Sequence, residues 1–128
     1  MHTKMLMRLS SLFLGILGLA ASFMPQEILA HYGARSSGLG ALLLQVVGAL
    51  YLGFAVLNWM ARDILIGGIY ARPVALGNFL HFSVVGLTVW KAIASGTSMG
   101  SDIVAGAIVY SVFAVWFGLI VFTHPTKQ

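Results

Sequence analysis

Charge is missing from four long stretches of this chain, and that absence constrains its fold more than any motif does. The stretches run from Leu9 to Met24, Leu39 to Trp59, Val74 to Trp90 and Ile103 to Phe122. Crossing about 30 Å of hydrocarbon takes roughly 20 helical residues. The first stretch reaches that length when Met5 to Met7 are added and Arg8 extends its charged end to the surface. The sequence therefore predicts an all-α integral membrane protein, an antiparallel bundle of four transmembrane helices. It forms one domain over residues 1–128, with spans near 5–24, 39–60, 74–90 and 103–122.

Composition agrees. Hydrophobic residues make up 59% of the chain and charged ones only 8%, against roughly a quarter charged in an ordinary soluble domain. That leaves no room within these residues for a soluble catalytic domain, so any function lies in the membrane or at its faces. Cysteine is absent, which excludes disulfides, thiolate metal sites, a lipoprotein anchor and thiol redox chemistry of the disulfide-oxidase or vitamin K reductase kind. The net charge of +4 comes without a basic run or an aromatic-basic platform, so nucleic acid is not an expected partner.

The basic start and the small residues Ala20-Ala21-Ser22 resemble a secretory signal, but no clean Ala-x-Ala site follows, and a retained first helix is expected. Pro25 ends it. An interfacial helical turn is expected at Gln26 to Tyr32. Ala49 and Gly53, four apart on the second span, make a small-residue face suited to close helix approach, as do Ala114 and Gly118 on the fourth. Ile64 to Tyr70 is too short to span and too apolar for a free loop, so it is expected to lie in the interface or dip inward, bending at Gly67-Gly68. Pro73 opens the third span, and Ser101 or Asp102 is expected to cap the fourth. With an even number of spans both termini share one side. That side holds Lys4, Arg8, Arg62, Arg72 and Lys127, against Arg35 and Lys91 on the other. The positive-inside rule then puts both termini in the cytoplasm of a bacterial-type inner membrane, with Trp59 and Trp90 in opposite aromatic belts.

The polar residues written into these helices are the candidate site. At about 1.5 Å per residue, Asn58, Asn78 and His81 lie roughly 5, 8 and 12 Å below the inner surface. Asn78 and His81, three apart, share a helix face that continues to Thr88, and such a face looks inward in lipid. One expectation is a cytoplasm-facing polar pocket, closed by Trp59, Tyr70 and the apolar link, holding the headgroup of a quinone, sterol-like or isoprenoid lipid. The competing and commoner use is helix glue, with these side chains tying the second span to the third. Arg62 and Asp63 read either as a gate or anchor beside the pocket or as interfacial topology markers and caps. Gln45 is expected to bond Tyr110 or Ser111 on the fourth span, and Phe79, Phe82, Phe113 and Phe117 to pack against core or lipid.

Several specific functions fit poorly. Haem held by two histidines needs a second imidazole at depth, and only His81 is inside a span. A small multidrug exporter needs a carboxylate in its first helix, and Glu27 comes after Pro25. The glycine-threonine-phenylalanine run of a fluoride channel is missing. Zinc needs three or four clustered ligands, and the histidines are scattered.

Taken with Pro25-Gln26-Glu27, the run Gly48-Ala49-Leu50-Tyr51-Leu52-Gly53-Phe54, Asn58-Trp59 and the segment Gly77-Asn78 to His81, the chain resembles the DoxX-like group of small bacterial four-helix membrane proteins. That resemblance implies a left-handed four-helix bundle in the inner membrane. Some members carry names linked to quinol oxidation, and others act as accessory or assembly partners. It assigns no catalytic residue. Two expectations follow. The first is a non-enzymatic accessory subunit or lipophilic-ligand binder, with membrane lipids and either a larger complex or further copies of itself as partners. The second is a membrane-embedded redox partner or enzyme, in which His81 exchanges a proton with a quinone-like substrate; a small transporter or channel is a further alternative. A lone histidine without an orienting carboxylate is a weak base for catalysis, so no catalytic residue, metal or obligate cofactor is expected, only a quinone or other lipid as ligand.

Overall fold

The computed structural model describes residues 3–35, 37–64 and 71–123, and these are helical with no strand among them. In chain order the helices are α1 (Thr3–Phe23), α2 (Pro25–His31), α3 (Gly38–Ala61), α4 (Arg72–Ala94) and α5 (Ser101–Phe122). Four of them, α1, α3, α4 and α5, are long and apolar enough to cross a membrane. The protein is thus an all-α multi-pass membrane protein with the four spans expected from the sequence, each running one to four residues further at an end. The apolar link from 65 to 70, with Gly67, Gly68 and Tyr70, lies outside the described residues.

Local chemistry explains the boundaries. Pro25 excludes Met24 from helical geometry, and Met24 takes φ −128° and ψ 46° while Pro25 starts α2. The expected interfacial turn is therefore a separate short helix. It ends at Gly33, whose φ of 66° lets Gly33 and Ala34 donate back to the carbonyls of Ala30 and Leu29 at 3.1 and 2.9 Å. A left-handed residue is needed for that double closure, and glycine adopts it without strain. Gly96 closes α4 in the same way, donating to Ile93 with Thr97 reaching Ala92. Ser37 caps α3, its hydroxyl accepting from the Gly40 amide at 2.9 Å. For α5 the expected cap is corrected: Gly100 holds the cap position with no side-chain bond. Ser101 and Asp102 are already inside the first turn, where the Asp102 carboxylate faces the positive end of the helix dipole.

The chain forms two compact units, Met7–Arg62 and the remainder, Met1–Leu6 with Asp63–Gln128. In the first, α1 and α3 run antiparallel with their backbones in near contact. A β-carbon added to Gly18 would lie 2.9 Å from the Leu52 amide nitrogen, and one added to Gly48 would lie 2.7 Å from that of Ser22. Along α3 the buried Ala41, Gly48 and Ala55 stand seven apart, the repeat of a left-handed helix pair, and Ala61 is buried beyond them. This corrects the expected Ala49 and Gly53 face. Ala49 is exposed, and nothing lies within 4 Å of where a Gly53 side chain would begin. One residue is about 100° of rotation, enough to move the contact from Gly48 to the lipid side.

In the second unit α4 and α5 are antiparallel around Phe82, which is fully buried. Its ring stacks on Phe117 at 5.7 Å and lies 4.9 and 5.1 Å from Phe113 and Tyr110. Gly118 is buried, but it seats an aromatic ring where a second helix backbone had been expected: a β-carbon there would meet Phe79 at 3.0 Å. Phe79 also packs edge-on against Phe122 at 5.5 Å. Nearer the other end, the Trp90 indole donates to the Ser111 hydroxyl at 2.8 Å.

Candidate functional site

Asn58 sits in the last turns of α3 with no solvent exposure. Its amide donates to the Ser10 hydroxyl of α1 at 3.0 Å, and Ser10 donates to the Met7 carbonyl at 3.2 Å. One turn along, Ser11 donates to the Ala55 carbonyl at 2.6 Å. Together these side chains form a polar ladder between α1 and α3. The serine partners were missed from the sequence, although Ser10 and Ser11 are nearly the only polar side chains of the first span. Within lipid such bonds average about 0.6 kcal/mol each, because polar groups of the unfolded chain also find partners there.

Asn78, also fully buried, donates to the Val74 carbonyl of its own helix at 2.9 Å. His81 is half-buried on α4, and its Nε2 lies 3.4 Å from the Tyr110 hydroxyl of α5, with the rings 5.6 Å apart. Tyr110 is 6% exposed and so gives the histidine a buried hydroxyl partner that the sequence did not reveal. Thr88 does not continue an inward stripe. It is exposed, and its hydroxyl donates back to Val84 at 2.8 Å. The expected partner of Gln45 is also corrected. Its amide reaches the Ser22 carbonyl of α1 at 3.5 Å, while the Ser111 hydroxyl accepts from Trp90.

The Arg62 guanidinium lies 4.5 Å over the Trp59 ring and donates to the Trp59 carbonyl at 2.5 Å. Asp63 pairs with Lys4 at 2.5 Å, both side chains about half exposed at 54% and 55%. An exposed pair of this kind contributes between nothing and about 1 kcal/mol. Asn58, Trp59 and Arg62 thus belong to the first unit, and Asp63, Asn78 and His81 to the second.

Among the described residues, every buried side-chain nitrogen and oxygen has a hydrogen-bond partner, and no three histidine or carboxylate side chains cluster as metal ligands would. Three open cavities among the described residues are apolar grooves within the units. One of about 400 Å³ runs between α1 and α3 under Trp59. On the α4 and α5 pair, one of about 350 Å³ lies beside Phe79 and Gly118, and one of about 670 Å³ lies between Trp90 and Trp116. Comparison of the chain with protein-family models, curated proteins and solved structures gives no match.

Proposed function

We propose that this protein is a non-enzymatic accessory subunit of a larger membrane assembly, its intramembrane polar residues serving as ties within and between helices. The observation that carries this reading is the complete pairing of the buried polar atoms among the described residues. Groups poised for chemistry commonly keep a polar atom free for substrate, whereas Asn58 and Ser10 are spent on each other. The broad apolar exposure of α3 and α5, with Leu39, Leu50, Met60, Val115 and Phe122 each at least 60% exposed, supplies surface for neighbouring helices as well as lipid.

The test is mass spectrometry of the protein purified gently from its native membrane, recording co-purifying chains and small molecules. Stoichiometric larger chains, retained by His81→Leu and Asn78→Leu variants that still insert, support the accessory role. A stoichiometric quinone or other lipid, lost in those variants, would replace it with the lipophilic-ligand reading of the Asn58, Asn78 and His81 pocket.

A second reading, a redox partner for a quinone-like substrate, draws support from the His81 and Tyr110 contact. A hydroxyl beside the imidazole gives it a route for proton exchange that a lone histidine lacks. Quinol-dependent turnover abolished by both His81→Leu and Tyr110→Phe would favour it. Membership of the DoxX-like group, residence in a bacterial-type inner membrane and a cytoplasmic position for both termini belong to the same proposal. The last rests on the cations Lys4, Arg8, Arg62 and Arg72, and fusion of a reporter to each terminus tests it.

A further inference from the structure

We infer that the groove between α1 and α3 is a binding site for one anionic phospholipid, its headgroup held by Arg8 and Arg62 and an acyl chain lying along Leu12, Ile16 and Leu19. The site lies wholly within the Met7–Arg62 unit and does not depend on the accessory role. Its body is the apolar groove of about 400 Å³ walled by Leu12, Ile16 and Leu19 of α1 and Val56 and Trp59 of α3, with Gly15 and Ala55 at its floor. That volume is within the range of lipophilic ligand sites, roughly 300 to 1,000 Å³. The floor is deep because Gly15 has no side chain and Ala55 a single carbon; a β-carbon on Gly15 would meet that of Ala55 at 3.7 Å. The walls are large apolar side chains that stay open, Leu12 at 56%, Ile16 at 69% and Val56 at 58%.

Charge at the mouth selects the occupant. Arg8 is exposed and stands three and four residues before Ser11 and Leu12, both groove residues. That spacing places it on the same face of α1, one turn above them. Arg62 reaches the same end from α3, because the helices are antiparallel with Ser10 opposite Asn58, and its guanidinium lies over Trp59, the wall residue nearest that end. Two guanidiniums suit a phosphate diester, which accepts in-plane hydrogen bonds from each. An aromatic side chain beneath them sits at headgroup depth, as in an interfacial belt. An ordinary annular lipid needs only the apolar walls; the paired cations add a preference for negative headgroups.

The experiment uses the whole protein in nanodiscs containing equal mole fractions of phosphatidylglycerol and phosphatidylcholine, released into the gas phase for native mass spectrometry. One retained phosphatidylglycerol in excess of phosphatidylcholine is expected. The double variant Arg8→Gln with Arg62→Gln should lower that preference by roughly tenfold or more, each cation near a membrane surface favouring anionic lipid severalfold. Ile16→Trp leaves the charges and fills the groove, and it should also lose the retained lipid. Circular dichroism checks that both variants remain helical, and Arg8→Lys, which keeps the charge, should retain most of the preference. Equal retention of the two lipids overturns the proposal. So does loss in the arginine variant without loss in Ile16→Trp, which would mean general surface electrostatics. Displacement of the lipid by millimolar inorganic phosphate would also overturn it, since the site would then read only the anion.

Discussion

Ser22 of α1 packs its backbone directly onto Gly48 of α3: a β-carbon at Gly48 would stand 2.7 Å from the Ser22 amide nitrogen and 2.9 Å from the Gly18 carbonyl oxygen. The Ser22 hydroxyl, nearer still at 2.5 Å, could swing aside, but these two are backbone atoms, so a larger residue there has to separate the helices. Gly48→Ala should destabilise the folded protein by about 1–3 kcal/mol, the usual cost of overpacking, while Gly53→Ala, with open space around it, should be close to neutral or slightly stabilising. Unfolding followed by helical signal in mixed micelles measures both. Equal effects at the two positions would mean that Gly48 is not at the contact.

The bond between Asn58 and Ser10 is suited to a double-mutant cycle. Each residue has other neighbours, so single substitutions mix several losses, but the coupling of Asn58→Leu with Ser10→Ala isolates the pair. A coupling of about 0.6 kcal/mol is expected, with an upper bound near 1.7. A coupling indistinguishable from zero would remove this rung from the ladder.

Gly118 offers a contrasting case because its neighbour is an aromatic ring edge rather than backbone. Gly118→Ala should cost about 1 kcal/mol as Phe79 is pushed aside. Combining it with Phe79→Leu should recover part of that loss, since the shorter side chain vacates the space. The same stability measurement applies, and additivity of the two substitutions would show that ring and glycine do not share the space.

Lys4→Gln and Asp63→Asn should each change stability by less than about 1 kcal/mol, and raising ionic strength should shrink the difference. Thermal unfolding of each variant at low and high salt provides the comparison. A large, salt-independent loss would mark the pair as buried in the native membrane.

The membrane spans were legible because charge cannot be hidden in hydrocarbon, and the helix ends near Pro25, Gly33, Pro73 and Gly96 because proline fixes its backbone at a helix start and glycine takes the left-handed turn at a helix end without strain. Rotation of the helices was not legible. Helix α3 is apolar around its whole circumference, so hydropathy assigns it no inner face, and the small residues at 48, 49, 53 and 55 allow more than one contact line. Partner choice was lost for the same reason. Ser10, at matching depth on an antiparallel neighbour, takes a hydrogen bond from the Asn58 amide to which hydropathy did not point. His81 was seen as isolated because Tyr110, 29 residues away, becomes its neighbour only once α4 and α5 fold back on each other.

The tight turn between α4 and α5 has a consequence for how the protein is made. Only the residues from Ser95 to Gly100 separate the two helices, and Gly96 has already reversed the chain at the end of α4. Closing so short a loop costs little chain entropy, and the ring contacts of Phe82 with Phe113 and Phe117 become available as soon as α5 has emerged. This pair can therefore close its aromatic seam as a hairpin on its own contacts, without waiting to pack against the rest of the chain.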